Sequence, residues 1–163
     1  MTEISDFLAA ARAQVGRVLA ERKGVVCAQE FQRWAAAVGD LNPLYLDRDY
    51  ARQYGHRDVV SPPLFLSKVT NGVSFLADLR EDGLDRHNEL DVPMPARRMA
   101  GGEDYSFHCA VYPGDEITMT RVLTDVQHKH GRSGEFLVFT IEETYVAAGA
   151  VTAGRMLRRV IAR

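Results

Sequence analysis

The chain is poor in the features that announce a specialised environment. It has two cysteines, Cys27 and Cys109, one tryptophan, and a net charge of −2 over 163 residues. Two unmatched thiols make no disulfide framework, so they read as free and reduced. No motif places a histidine to polarise either one, which assigns them to packing or capping. No apolar run approaches the ~20 residues that cross a bilayer. No block of like charge marks a nucleic-acid or membrane surface, so neither partner is expected. The first residues, MTEISDFL, carry acids where an export signal needs positive charge, which predicts a cytoplasmic protein. What remains is ordinary, 46% hydrophobic and 26% charged. The length suits one domain, 1–163, large enough to bury roughly 70% of its unfolded surface without staples.

Apolar spacing organises the chain. Ile4, Phe7, Leu8, Ala11, Val15, Val18 and Leu19 share one helical face, with Lys23-Gly24 as the stop. A second helix carries Phe31, Trp34, Ala35 and Val38 and closes at Gly39. Residues Asp40 to Tyr45 read as a turn, because Asn42-Pro43 disfavours helix before the proline. Asp47 caps a short helix that ends at Gly55. After Val59-Val60-Ser61-Pro62-Pro63, the residues Leu64, Phe65, Leu66, Val69, Val73, Phe75, Leu76 and Leu79 predict one long helix, apolar nearly all round and therefore interior. An irregular stretch follows over about 80–102, a length that is usually functional in a compact domain. The rest reads as strands: Tyr105 to Tyr112, a bulged strand through Ile117, Met119, Val122 and Val126, a hairpin at Gly131–Gly134, an alternating strand Leu137–Tyr145, and a last strand Val151–Ile161. Helices first and an antiparallel meander after them predict an α+β fold, its sheet curled round the Pro63–Leu79 helix.

Phe31–Ala51, reading FQRWAAAVGDLNPLYLDRDYA, resembles the hydratase signature of the MaoC-like dehydratases. In that signature an aromatic and small residues precede Gly-Asp-x-Asn-Pro-aliphatic-His. Gly39, Asp40, Asn42, Pro43 and Leu44 match, and Tyr45 stands where the histidine is expected. Val59–Phe65, and Tyr112-Pro113-Gly114-Asp115 followed by Lys129–Gly134, are similar to the same superfamily, especially its N-terminal-type domain. The resemblance implies a single hot-dog domain, an antiparallel sheet wrapped around a long central helix, paired with a second such unit. It further implies addition of water to a trans-2-enoyl thioester, or its removal from a (3R)-3-hydroxyacyl thioester. The substrate would ride on coenzyme A or on the phosphopantetheine of acyl carrier protein, with no cofactor of the enzyme's own.

On that reading Asp40, Asn42 and Tyr45 are the candidate catalytic residues. Pro62, Pro63 and Leu64 line the substrate at the helix start, and Arg97 and Arg98 reach for phosphopantetheine or solvate a loop. The chemistry needs a base near neutral pKa and donors for the enolate oxygen. A tyrosine is ionised in only about one part in a thousand at pH 7, and neither proline has an N–H to offer. The leading expectation is therefore a substrate-shaping subunit whose hot-dog partner supplies an intact Asp/His pair. A self-sufficient homodimeric hydratase using Asp40 and Tyr45 is the second reading. A non-hydrating acyl-thioester binder or thioesterase is the third, with Asp78 the sole acid on the apolar segment. His56, His87 and His108 have no metal-ligand spacing, so no metal is expected. His128, Lys129, His130 and Arg132 mark a solvated hairpin or a contact to coenzyme A phosphates.

Overall fold

The computed structural model describes residues 3–163 apart from 82, 84, 86–89 and 150. His87 lies outside the described residues. Helix α1 (Glu3–Arg12) is followed by strand β1 (Val18–Val25) and helices α2 (Ala28–Val38), α3 (Pro43–Leu46) and α4 (Arg48–Gln53). A 3-10 turn (Pro63–Phe65) runs into the one-turn helix α5 (Leu66–Val69), and strands β2 (Arg98–Phe107), β3 (Glu116–Gly131), β4 (Gly134–Ala147) and β5 (Val151–Ala162) complete the fold. All five strands form one sheet in the order β1-β3-β4-β5-β2, and every pairing is antiparallel. The α+β class and the antiparallel sheet stand as expected, with β1, read from the sequence as helix, as the fifth strand.

Four local expectations change. The predicted helix Ile4–Lys23 stops at Arg12, because Gly16 turns the chain at φ 89°; β-branched Val18 then starts a strand that pairs with β3. Gly24 is no helix stop but a strand residue, and a Cβ there would lie 1.9 Å from the Val69 carbonyl oxygen. Strand β2 begins at Arg98, so the irregular stretch ends at Arg97, and residues 108–115 are loop rather than strand. The fourth change is the central helix. It covers only Leu66–Val69 beyond its 3-10 start, and Leu76–Asp78 is a separate 3-10 turn. Apolar content had masked the run Val69-Thr70-Asn71-Gly72, four weak helix formers in succession. Beyond that break Val73, Phe75 and Leu76 are 77%, 64% and 86% exposed.

Alternation and register place the core on one face of the sheet. Ile117, Met119, Arg121 and Leu123 point to it from β3, and a bulge between Leu123 and Asp125 brings Val126 back to the same face. Two apolar clusters cover this face. In the first, Phe31 and Ala35 of α2, Tyr45, Val59, Val60, Phe65 and Leu66 pack on Ile117, Met119, Tyr145 and Met156. In the second, Ala11, Val92 and Met94 pack with Leu123, Val126, Leu137, Phe139 and Ile141. Between them in the sheet sits a buried ion pair, Arg121 to Glu143, which face each other in register.

The approach of α5 to β1 gives a direct stability test. Gly24→Ala forces the Val69 backbone away from the sheet, an overpacking cost of about 1–3 kcal/mol. A denaturant midpoint unchanged from wild type would show that α5 does not pack there.

Candidate functional site

The candidate site begins at the end of α2. Gly39 adopts the left-handed conformation at φ 75° and caps the helix onto Ala35 and Ala36 carbonyls. The Asp40 N–H donates to the Ala35 oxygen at 2.9 Å, which aims the following turn. Asn42 then caps α3, its Oδ1 accepting from the Leu44 N–H at 3.0 Å, with Pro43 at the first helical position. The expected turn at Asn42-Pro43 is therefore the start of a short helix. Its last residues lie under α2, where the Gln32 side chain donates to the Tyr45 carbonyl at 3.0 Å.

Asp40, Asn42 and Tyr45 come together, but in unequal settings. Asp40 is exposed at the protein surface, whereas Tyr45 is 8% exposed and belongs to the first core cluster. Burial raises the Tyr45 pKa above 10, the nearby Asp40 charge raises it further, and a hydrogen bond with Asn42 pulls the other way. The net shift is upward. Tyr45 therefore carries its proton at neutral pH, as a donor rather than a base.

The segment Pro62–Leu64 is held against the same turn. The Val60 N–H donates to the Leu44 carbonyl at 2.9 Å, and the Ser61 N–H to Val111 at 2.8 Å. Phe65 meets Phe31 and Trp34 edge-on, at ring separations of 6.1 and 5.9 Å. Pro62 is buried, and Pro63 and Leu64 are exposed. The Phe65 N–H donates to Pro62 O at 2.9 Å, and the Leu66 N–H is taken by Pro63 O. Pro62 and Pro63 have no N–H and those of Phe65 and Leu66 are spent, so of this helix start the Leu64 N–H alone is left to polarise a thioester carbonyl.

Arg97 and Arg98 are not brought to this place. Arg98 opens β2 opposite Ala162, while the Tyr105 end of that strand packs on the first cluster. Arg98 lines a separate cavity of about 560 Å³ with Leu90, Met94, Met99, Glu103 and Arg158, and the Arg97 carbonyl accepts from the Arg163 N–H at 3.0 Å. Asp78 lies past the helix break, on the detached 3-10 turn.

Two groups of polar residues escaped the sequence reading. One secures the segment before Pro62: Arg57 pairs with Asp115 and sits 4.5 Å over the Tyr112 ring, whose hydroxyl meets His56 Nδ1 at 3.1 Å. Asp115 also accepts from the Tyr112 N–H at 2.9 Å, which closes the Pro113-Gly114 turn. The other runs across the sheet. Arg121 donates to Glu143 at 2.7 Å and the Tyr145 hydroxyl to the other Glu143 oxygen at 2.5 Å. Arg158 and Tyr105 both donate to Glu103, at 2.9 and 3.1 Å. Burial and the neighbouring Glu103 carboxylate push the Tyr105 hydroxyl up to about 12. The signal for this row was present as charged residues at inward positions, Met119-x-Arg121-x-Leu123 and Ile141-x-Glu143-x-Tyr145.

No helix among the described residues is long and apolar enough to cross a membrane, which says nothing of β-barrels. Comparison with known proteins bears on the fold and the family. A subunit of the ChsH1-ChsH2 complex from Mycobacterium tuberculosis superposes with a TM-score of 0.74 at 21% identity, over 98% of this chain and 90% of that one. A MaoC-like dehydratase gives 0.71 at 20% identity, over 94% of this chain and 43% of that one. Among relatives in sequence, a probable enoyl-CoA hydratase alpha subunit of Thermomonospora curvata is 28% identical over 148 residues, 86% of this chain and 46% of its own length. The chain matches 63% of the length of the UPF0336 proteins of Streptomyces coelicolor and Streptomyces griseus. The fold is the hot dog of the MaoC-like dehydratases and (R)-hydratases. With residues 13–154 matching its model, the chain belongs to the family of the FAS1-like dehydratase domain region.

Proposed function

We propose that the chain is the substrate-binding subunit of an (R)-specific enoyl-thioester hydratase, or 3-hydroxyacyl-thioester dehydratase, whose second hot-dog subunit carries the Asp/His pair. The observation that carries this reading is Tyr45. In the motif it stands where the histidine is expected, and it is buried with its pKa raised, so it holds its proton where the reaction would need a base. The prolines ahead of α5 agree, since they remove two of the donors that could polarise the carbonyl. In hydration the partner's base takes one proton of water, the oxygen bonds to C3 of the enoyl thioester, and a proton is delivered to C2. Dehydration is the reverse. The Tyr45 hydroxyl and the Asn42 amide can orient the substrate or a water but cannot accept that proton. Acyl-CoA or acyl carrier protein would deliver the substrate in the cytoplasm, and no further cofactor is required.

The shortened central helix supports the division of labour. Where α5 stops after one turn, the core face of the sheet keeps an open cavity beside β2, lined by Leu90, Met94 and Met99. A long or bulky acyl tail has room there. Two relatives support a hot-dog partner: one is part of a two-component complex, and another is called an alpha subunit and is about twice as long.

Assembly is testable by sedimentation. Val73, Phe75 and Leu76 form an exposed apolar segment beyond α5, and β1 and β2 leave two open sheet edges. The purified chain is expected as a dimer or larger, and Phe75→Ser with Leu76→Ser is expected to weaken that association about tenfold or more. A single species of 18.2 kDa at micromolar concentration would contradict the assembly.

A further inference from the structure

We infer that His128, His130 and Glu135 form a binding site for one first-row divalent cation, Zn²⁺ by preference, at the tip of the β3–β4 hairpin. The register brings them together. His130 stands opposite Glu135, and His128 is one same-face position further from the tip, opposite Leu137. Residues i and i+2 of a strand share a face, so both imidazoles meet the carboxylate on the side that continues from Val126 and Leu137. The pairing of Gly131 with Gly134 pins the tip and hence the three side chains.

The distances suit a metal. His128 Nε2 lies 3.3 Å from one Glu135 oxygen, and His130 Nδ1 lies 3.5 Å from the other. Metal–ligand bonds of 2.0–2.1 Å in tetrahedral geometry put neighbouring ligand atoms about 3.3 Å apart. The three ligand atoms all fall within 4.8 Å of one another, and the exposed His130 and Glu135 side chains can turn to close the set. His128 Nε2 is itself shielded from solvent and makes no hydrogen bond. A buried ring nitrogen without a hydrogen-bond partner is a cost, and in the tautomer that leaves its lone pair free a cation would remove it. Two imidazoles and one carboxylate are the borderline donor set that first-row divalent metals take, with a fourth position left for water. Lys129 alternates to the opposite face of the hairpin, opposite Phe136, and so does not oppose a cation there. The role assigned is structural, a clasp that fixes the hairpin tip.

The alternative for the same three residues is an ion pair of protonated histidine with Glu135, and titration with metal separates the two. The full chain, without an affinity tag, is titrated with ZnCl₂ against a chromophoric chelator. One Zn²⁺ per chain is expected, and His128→Gln, His130→Gln or Glu135→Gln should each weaken it at least ~100-fold, no less than loss of an outer-sphere partner costs. Cys27→Ser with Cys109→Ser should leave the affinity unchanged, which excludes the exposed thiols as ligands. Co²⁺ bound to the unaltered chain should show visible d–d absorption without a thiolate band, a reading that needs no variant to fold. Absence of stoichiometric binding, binding that survives the histidine changes, or binding lost only with the cysteines would each overturn the site.

Discussion

Purified alone, this chain should hydrate crotonyl-CoA or a longer enoyl-CoA at least ~100-fold more slowly than a typical hydratase, since losing a general base alone costs ~10²–10⁴ in rate. Two deficits act in the same direction. Tyr45 keeps its proton, because burial and the Asp40 charge raise its pKa. Pro62 and Pro63 have no N–H, and the N–H groups of Phe65 and Leu66 are already bonded to their carbonyls. Loss of one oxyanion donor is worth ~10²–10³, so Tyr45→His by itself should recover little. Mixing with a hot-dog partner that carries Asp and His should restore turnover, and replacing that partner's histidine should remove it. Asp40→Asn in this chain should then matter far less than the same change in the partner. The decisive assay is hydration by the homo-oligomer at verified mass. A turnover of tens per second that vanishes with Asp40→Asn would establish that this chain owns its site.

Breaking the Arg121–Glu143 pair should cost about 3–5 kcal/mol of folding stability, because one charge would be left buried without its partner. Both side chains are almost wholly enclosed, at 5% and 3% exposure. Glu143→Gln removes the carboxylate that accepts from Arg121 on one oxygen and from Tyr145 on the other. Urea denaturation should show the midpoint fall with the slope retained. Arg121→Met with Glu143→Leu, an apolar pair of similar volume, should recover most of the loss, since desolvation of both charges is then avoided. Tyr145 would lose its acceptor in that variant, so recovery should fall short by about 1 kcal/mol. A Glu143→Gln protein as stable as the parent would mean that water reaches this pair in solution.

The ion pair divides the two apolar clusters on the core face of the sheet.

Much of this is legible in the sequence. Local chemistry determined Gly39 as the end of α2, Asp47 as the cap of α4 and the Gly131–Gly134 hairpin. Strict alternation determined the strand Leu137–Tyr145, and Ile117, Met119, Val122 and Val126 marked β3 with a shift of face, but that spacing puts the shift between Met119 and Val122, whereas the bulge falls between Leu123 and Asp125 and leaves Val122 on the face away from the core. The order Gly-Asp-x-Asn-Pro, with tyrosine after leucine, carried the family and the proposed defect together. Tertiary structure decided what spacing could not. Residues 18–25 became a strand because β3 offers an edge to pair with, which a local helical pattern does not register. The apolar run 64–79 broke at Thr70-Asn71-Gly72, since hydrophobicity reports burial on average and not the continuity of a helix. Glu135 joined His128 and His130 only through the hairpin register, and Arg121 found Glu143 from 22 residues away. A lone sequence records which side chains are inward; the partner each one meets across the sheet is set by pairing, because the contact energy belongs to two strands at once.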